Sequence, residues 1–344
     1  MSIEAIAFAI PGAIETRTGG YAYDRRLIAG LRARGLAVRH LAWPGGFPAP
    51  SSADLVAAAQ SLAAQPDGGI VIVDGLAFGA LGDLAAAEGG RLRLIALVHH
   101  PLALETGAAP DLFGSERAAL RHARAAIATS AATAGTLRRD YGVPAERLVV
   151  APPGTDPAPW APRTGEPPHL LSLGSVTPRK GHDVLVAALA TLRHLPWRCT
   201  IAGSLDRAPD TARRLRAQIE AASLGDRVTL AGEVEEATPL YAGADLFVLA
   251  SRHEGFGMAY AEALAHGLPV IGTTAGAIPS VVPEAAGVLV PSDDVPALAA
   301  ALARLLTDAA ARETASVAAR QAAARLPRWE ETVESVLALL RRLV

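Results

Sequence analysis

The stretch Ser251 to Gly267, SRHEGFGMAYAEALAHG, holds two carboxylates eight positions apart, Glu254 and Glu262. Between them a Gly-Phe-Gly turn, Gly255 to Gly257, opens an apolar run that starts at Met258 and has the look of a helix. The apolar stretches Ala244–Ala250 before it and Leu268–Gly272 after it predict buried strands. Strand, glycine turn and helix in that order make an anion site. Glycine lets backbone approach a ligand, and the first helical N–H groups lack internal partners and sit at the positive end of the dipole. A bare phosphate has no use for two neighbouring glutamates, whereas the hydroxyls of a sugar or a ribose do. The competing reading is a strand–helix corner with one capping glutamate. A second signal is compositional: of 32 basic residues only Lys180 is a lysine. Lysine is a compact point charge and arginine a planar fork, so one retained lysine beside a glycine points to a site that needs an ammonium.

These groups need a frame. Ile3–Ile10 reads as a first strand and Leu36–Trp43 as a second. A helix from about Tyr21 to Arg34 lies between them, with Leu27, Ile28 and Leu31 on one face. Gly35 ends that helix, and Ser51 with Ser52 caps another that reaches about Ala64. Ile70–Val73, Leu92–Val98, Ala125–Ala128 and Leu148–Ala151 read as further strands. Alternating strands and helices predict a parallel sheet with crossover helices. Residues 152–168 are proline-rich and aperiodic, and read as a linker. The alternation then restarts, with strands at His169–Gly174, Arg198–Ala202, Val228–Ala231, Leu246–Leu249, Val270–Gly272 and Val288–Val290. Helices are expected at Gly181–Leu195, Thr211–Ala222, Pro296–Leu306, Ala309–Arg325 and Trp329–Leu343, with Pro327 parting the last two. The expectation is an α/β chain of two similar halves. Ligands of such sheets bind at the carboxyl ends of strands. The loops placed there hold Gly19 and Gly20, Asp74, His99 and His100, Gly174–Gly181, Gly203 with Ser204, and Glu254–Gly257.

A chain of 344 residues is long enough for two cores. Its net charge of −2 gives no electrostatic case for nucleic acid. The single Cys199 rules out an intrachain disulfide and suits a reducing compartment. The start carries no basic leader, and Ile3–Ile10 is too short to span a bilayer. A cytoplasmic protein with at most peripheral contact with the inner face of the membrane is expected. Arginines 25, 26, 32 and 34 either touch anionic lipid or form an ordinary charged face, the latter preferred. Tyr21, Tyr23 and Asp24 either line an acceptor or make a solvated helix start, again the latter preferred. Asp74 either serves a site or caps the next helix. From residue type alone, His99 and His100 are strand-end residues bonded to backbone.

SLGSVTPRKGHDVLVAAL, then AGEVEEATPLYAGADLFVLASRHEGFGMAYAEALAHGLPVIGT and GVLVPSDDVPALAAAL, resembles family 4 of the retaining glycosyltransferases (GT4) over residues 169–307. The amino half resembles it more weakly, through Gly19-Gly20 and HHPLALE at 99–105. The resemblance implies a GT-B fold, two Rossmann-like parallel-sheet domains facing across a cleft. Residues 1–155, joined by the final helix 328–344, would form the acceptor domain, and 156–327 the nucleotide-sugar donor domain. Glu254 and Glu262 match the family's E-x7-E motif, so Glu254 would lie near the donor sugar's hydroxyls and Glu262 would hold the ribose. Backbone N–H groups of Phe256–Met258, after Gly255 and Gly257, would meet the distal phosphate and sugar. Lys180, with Arg179, would neutralise the diphosphate. His100, or its neighbour His99, matches a histidine near the reacting carbon, Gly20 a glycine that lets the first loop approach the phosphate, and Val234 a segment that contacts the base. Two departures leave donor preference open: Ser175 stands where many relatives carry arginine, and Ser280 where they often carry glutamate.

The implied reaction is retaining transfer of a hexose from a UDP-sugar, or next a GDP-sugar, to a hydroxyl acceptor (a glycan, lipid or small metabolite), forming an α-glycosidic bond. Stabilising the nucleoside diphosphate leaving group is most of the work. Its phosphate oxygen would take the acceptor's proton, so no cofactor beyond the nucleotide sugar and no metal ion is called for; the chain has no D-x-D. Closure about 152–168 would exclude water. The alternative is a catalytically silent GT-B subunit that binds nucleotide or a partner. A phosphorylase or epimerase on the same fold is a third reading.

Overall fold

The computed structural model describes residues 3–105 and 111–343. Met1, Ser2, residues 106–110 and Val344, which the expected domain ranges include, lie outside the described residues. The chain divides into two compact units, Met1–Gly154 with Pro327–Val344, and Thr155–Leu326.

In the amino unit six strands form one parallel sheet, β1 (Ala5–Pro11), β2 (Ala37–Trp43), β3 (Ile70–Asp74), β4 (Arg93–Val98), β5 (Ala125–Ala128) and β6 (Leu148–Val150), in the order β2-β1-β3-β4-β5-β6. The near-continuous burial of the four inner strands, β1, β3, β4 and β5, is what a sheet with helices on both faces requires. The register places Ala5 beside Ala37 and Ile70 beside Arg93. The order in which successive strands are added reverses between β1 and β3, so the loops after these parallel strands flank a crevice at their carboxyl ends. The helix Gly19–Ala33 starts in the first of those loops, capped by Thr18. The helix Ser52–Ala63 has a complete capping box from Ser51 and Asp54.

The final helix, Trp329–Arg342, packs on this unit. Trp329 meets the Tyr23 ring edge-on, Thr332 Oγ1 donates to the Pro152 carbonyl at 2.6 Å, and Arg34 pairs with Glu334 at 2.9 Å. The arginines first considered as lipid contacts have internal partners. Arg25 bonds the carbonyls of Ile14 and Thr16, Arg26 lies over Trp329, and Arg32 bonds the carbonyl of Val38.

The carboxyl unit repeats the plan with β7 (His169–Leu173), β8 (Arg198–Ala202), β9 (Val228–Gly232), β10 (Leu246–Val248), β11 (Val270–Thr273) and β12 (Gly287–Val290), in the order β12-β11-β10-β7-β8-β9, all parallel. Here the reversal falls between β7 and β10. Leu170, Val186, Ile201 and Leu302 fill the core on one face, and Leu171, Phe247, Tyr260 and Leu264 on the other. The proline-rich segment has no helix or strand between 152 and 168, yet its later part is tied down. Ala161 N–H donates to His266 O at 2.8 Å, Gly165 N–H to Asp245 Oδ1 at 3.0 Å, and Arg163 pairs with Glu313. Residues 159–168 are therefore part of the carboxyl unit's wall rather than free chain. Among the described residues no helix is long and apolar enough to cross a membrane.

Candidate active site

Lys180 and Glu254 come from the two loops that flank the reversal point of the carboxyl sheet, one after β7 and one after β10. Lys180 ends a short turn, Pro178–Lys180, that Gly181 closes at φ 65. A Cβ at Gly181 would run into the Ala250 carbonyl. Glycine there lets the lysine loop lie against the end of β10. Lys180 Nζ then donates to Glu254 Oε1 at 2.7 Å, and Ser251 Oγ to the same oxygen at 2.6 Å. Arg179 Nη1 lies 3.4 Å from Glu254 Oε2 and donates to the His253 carbonyl at 2.8 Å. Glu254 is buried, which opposes its charge. Lys180 and Arg179 outweigh that penalty and hold its pKa at about 2. The result is an anion clamped between two cations.

The turn after Glu254 leads directly into a helix. Gly257 has φ 101 and precedes the helix Met258–Ala265. Gly255 and Gly257 are buried, Phe256 and Met258 half-buried. Ala277 N–H donates to Glu254 O at 2.9 Å, which seats the loop after β11 on the same turn. Further along the helix, Glu262 accepts from Tyr241 OH at 2.8 Å. Burial pushes the Glu262 carboxyl up, and the tyrosine bond works against it. The Tyr241 ring stacks on His266, with centroids 5.0 Å apart. Val234 is half-buried in the loop after β9. Lys180, Arg179 and Glu254 are thus one cluster, next to the Gly255–Met258 turn.

The amino unit carries Gly20, His99 and His100. Gly20 is inside the first helix, where a Cβ would sit 3.3 Å from His99 Cδ2. His99 Nε2 lies 3.2 Å from Asp24 Oδ1 and 3.2 Å from Asp74 Oδ2. Burial disfavours the imidazolium, but the two aspartates prevail and raise its pKa to about 10. Burial, with Asp74 next to it, pushes Asp24 up to about 7. His100 instead points to Glu105, Nε2 to Oε2 at 3.1 Å. Both histidines bond carboxylate side chains, His99 those of Asp24 and Asp74 and His100 that of Glu105.

Two other expectations change. Tyr21, Tyr23 and Asp24 are buried, not a solvated helix start. Asp24 shares the helical stripe of Leu27, Ile28 and Leu31, so a charge on the apolar face was the overlooked signal. Asp74 both caps the following turn, accepting from Leu76 N–H at 2.8 Å, and faces His99. Arg252, not singled out from sequence, holds the two loops of the carboxyl site together. Its N–H donates to Arg179 O at 2.7 Å, and its guanidinium binds Pro178 O, Asp183 (2.7 Å) and Asp293 (2.8 Å).

Two family models match the chain. Residues 167–308 match "Glycosyl transferases group 1" and residues 16–159 match "Glycosyltransferase Family 4". The chain belongs to this glycosyltransferase family. It is 33% identical over 260 residues to D-inositol 3-phosphate glycosyltransferase from Xylanimonas cellulosilytica, an alignment covering 68% of this chain and 61% of the relative. The aligned part spans about three fifths of that relative's length. In structure the chain is similar to sucrose-phosphate synthase from Thermosynechococcus elongatus, with a TM-score of 0.84 at 24% identity over 99% of each chain. It is also similar to the Anabaena protein HepE in complex with UDP-glucose, with a TM-score of 0.79 at 20% identity, over 98% of this chain and 99% of that one. The likeness in structure establishes a GT-B fold.

Proposed function

We propose that this protein is a retaining glycosyltransferase that moves a hexose from a nucleoside diphosphate sugar to a hydroxyl acceptor and forms an α-glycosidic bond. The observation that carries this reading is the Lys180–Glu254–Arg179 cluster at the reversal point of the carboxyl sheet, beside a glycine turn that opens a helix. Lys180 and Arg179 supply the positive charge a departing diphosphate needs, and the N–H groups of Phe256–Met258 add dipoles that cost no reorganisation. Arriving phosphate oxygens would share Lys180 with Glu254, which leaves the carboxylate able to accept from sugar hydroxyls. Glu262, aimed by Tyr241, would take the ribose hydroxyls, and Val234 would lie against the base. In the amino unit Gly20 and His99, or His100, would meet the sugar and the acceptor. A UDP-sugar is the favoured donor, in keeping with the UDP-glucose bound to the HepE protein, and a GDP-sugar comes next. We place the protein in the cytoplasm, where nucleotide sugars are available.

Calorimetric titration with UDP, GDP, ADP and their common sugar conjugates tests the reading. One nucleotide should bind tightly, and product with a retained anomeric configuration should follow once a hydroxyl acceptor is supplied. Binding of none of these nucleotides would overturn the proposal.

A further inference from the structure

The segment that carries His99 and His100 is held from behind by a carboxylate outside both clusters. Glu116 lies on the helix Leu112–Arg121 and is buried. Both of its oxygens accept from the Leu102 N–H, at 3.1 and 3.0 Å. The Ala103 N–H and the Tyr141 hydroxyl bond the same carboxylate. We infer that Glu116 is a positioning residue: through Leu102 and Ala103 it sets residues 99–105, and with them the orientation of both histidines. Its bearing on transfer rests on the proposed placing of those histidines toward the sugar and the acceptor.

Leu102–Leu104 is a short 3-10 turn directly after His100 and Pro101. The first N–H groups of a helical turn lack partners inside it. Leu102 is buried, so its N–H needs an acceptor from the protein. Glu116 supplies that acceptor. Its partners are dipoles rather than cations: burial raises its pKa, and the tyrosine and the two N–H groups work against that rise. An amide in the same place offers one oxygen and turns an NH2 group toward N–H donors, so it cannot reproduce the set.

Both histidines are tied to this turn. His100 Nε2 lies 3.1 Å from Glu105 Oε2, and Glu105 N–H donates to the Leu102 carbonyl at 3.1 Å. The group that aims His100 is thus carried at the end of the turn whose start Glu116 holds. His99 stands three residues before Leu102, and its carbonyl accepts from Thr129 Oγ1 at 2.9 Å. The segment therefore has one anchor after β5 and a second at Glu116. Close packing keeps the second anchor in register. A Cβ at Gly79 would lie 2.6 Å from Leu102 Cδ1 and 3.3 Å from Glu116 Cβ, and the Gly79 carbonyl accepts from Ser115 Oγ at 2.8 Å. Glycine there lets the helix and the turn meet. A carboxylate that only stabilised the amino unit would aim neither imidazole, and NMR separates the two roles.

The test uses the whole chain labelled with 15N-histidine, with signals assigned from His99→Gln and His100→Gln. Of the nine imidazole signals, those of His99 and His100 should shift in Glu116→Gln, while those of His169 and His266 in the carboxyl unit stay in place. UDP-glucose should move the His99 or His100 signal of the parent, and Glu116→Gln should lose that response while its calorimetric affinity for UDP is unchanged. If Glu116→Gln fails to fold by circular dichroism, Tyr141→Phe, which removes one bond to the carboxylate and little bulk, decides by the same two signals. His99 and His100 signals that stay in place in the folded variant, or equal shifts at His169 and His266, would overturn the inference. No effect of UDP-glucose on the parent would count against the donor reading alone, because the first comparison needs no ligand.

Discussion

The two sheets follow one plan and carry opposite charge at corresponding places. At the reversal point of the carboxyl sheet, two cations, Lys180 and Arg179, surround one carboxylate. At the reversal point of the amino sheet, two carboxylates, Asp24 and Asp74, surround one imidazole. Both clusters are built on strand ends and a following or neighbouring helix, so the difference lies in the side chains and not in the scaffold. The carboxyl cluster has a cation to share with an anionic ligand. The amino cluster has carboxylates to share, and suits neutral hydroxyls. The proposed transfer from an anionic donor to a hydroxyl acceptor would use that division of charge.

The largest expected effect breaks the carboxyl cluster. Lys180→Ala should weaken nucleotide-sugar binding about a hundredfold, the worth of a charge-assisted contact of about 3 kcal/mol. Calorimetry reads this directly, and an unchanged affinity would end the contrast in charge. Glu254→Gln keeps the shape but not the charge, and should lower turnover at least about tenfold with little change in donor affinity.

Acid should strip the carboxyl cluster in a defined window. The folded pKa of Glu254, about 2, lies below its ordinary value of 4.5. Its contribution to stability is therefore fully present above pH 4.5 and is lost as pH falls toward 2. The loss is up to about 3 kcal/mol and should appear as a falling unfolding midpoint in denaturant titrations across that range. In Glu254→Gln that slope should flatten.

Glu262→Ala sharpens the assignment within the carboxyl unit. It should weaken UDP binding about tenfold while leaving the affinity for inorganic diphosphate unchanged, a difference of about 1.4 kcal/mol that isolates the ribose. Equal losses for both ligands would move Glu262 away from the ribose. The smallest effect belongs to an ion pair outside both clusters. Arg34 and Glu334 are partly exposed, so Arg34→Ala should change stability by no more than about 0.5 kcal/mol.

The carboxyl cluster was legible in sequence because its chemistry is packed into short stretches. Glu254, the Gly255–Gly257 turn and Glu262 lie within one strand–turn–helix unit, and a lone lysine among arginines marks its own position. The strands were also legible, since buried parallel strands are nearly continuous apolar runs. The amino cluster was not, because Asp24, Asp74 and His99 are distant in sequence and meet only when three elements assemble. A short helix such as Gly82–Glu88 escaped notice in an alanine- and glycine-rich context that gives little periodicity. Arg252 was missed for a similar reason: its partners Pro178, Asp183 and Asp293 come from loops whose proximity is a property of the fold.

Hydrogen–deuterium exchange of the whole protein with and without a UDP-sugar tests the central claim most directly. The account predicts that the donor slows exchange in residues 174–181 and 251–262, and that Lys180→Ala abolishes this protection. Protection confined to the loops of the amino unit, or protection that survives in Lys180→Ala, would contradict it.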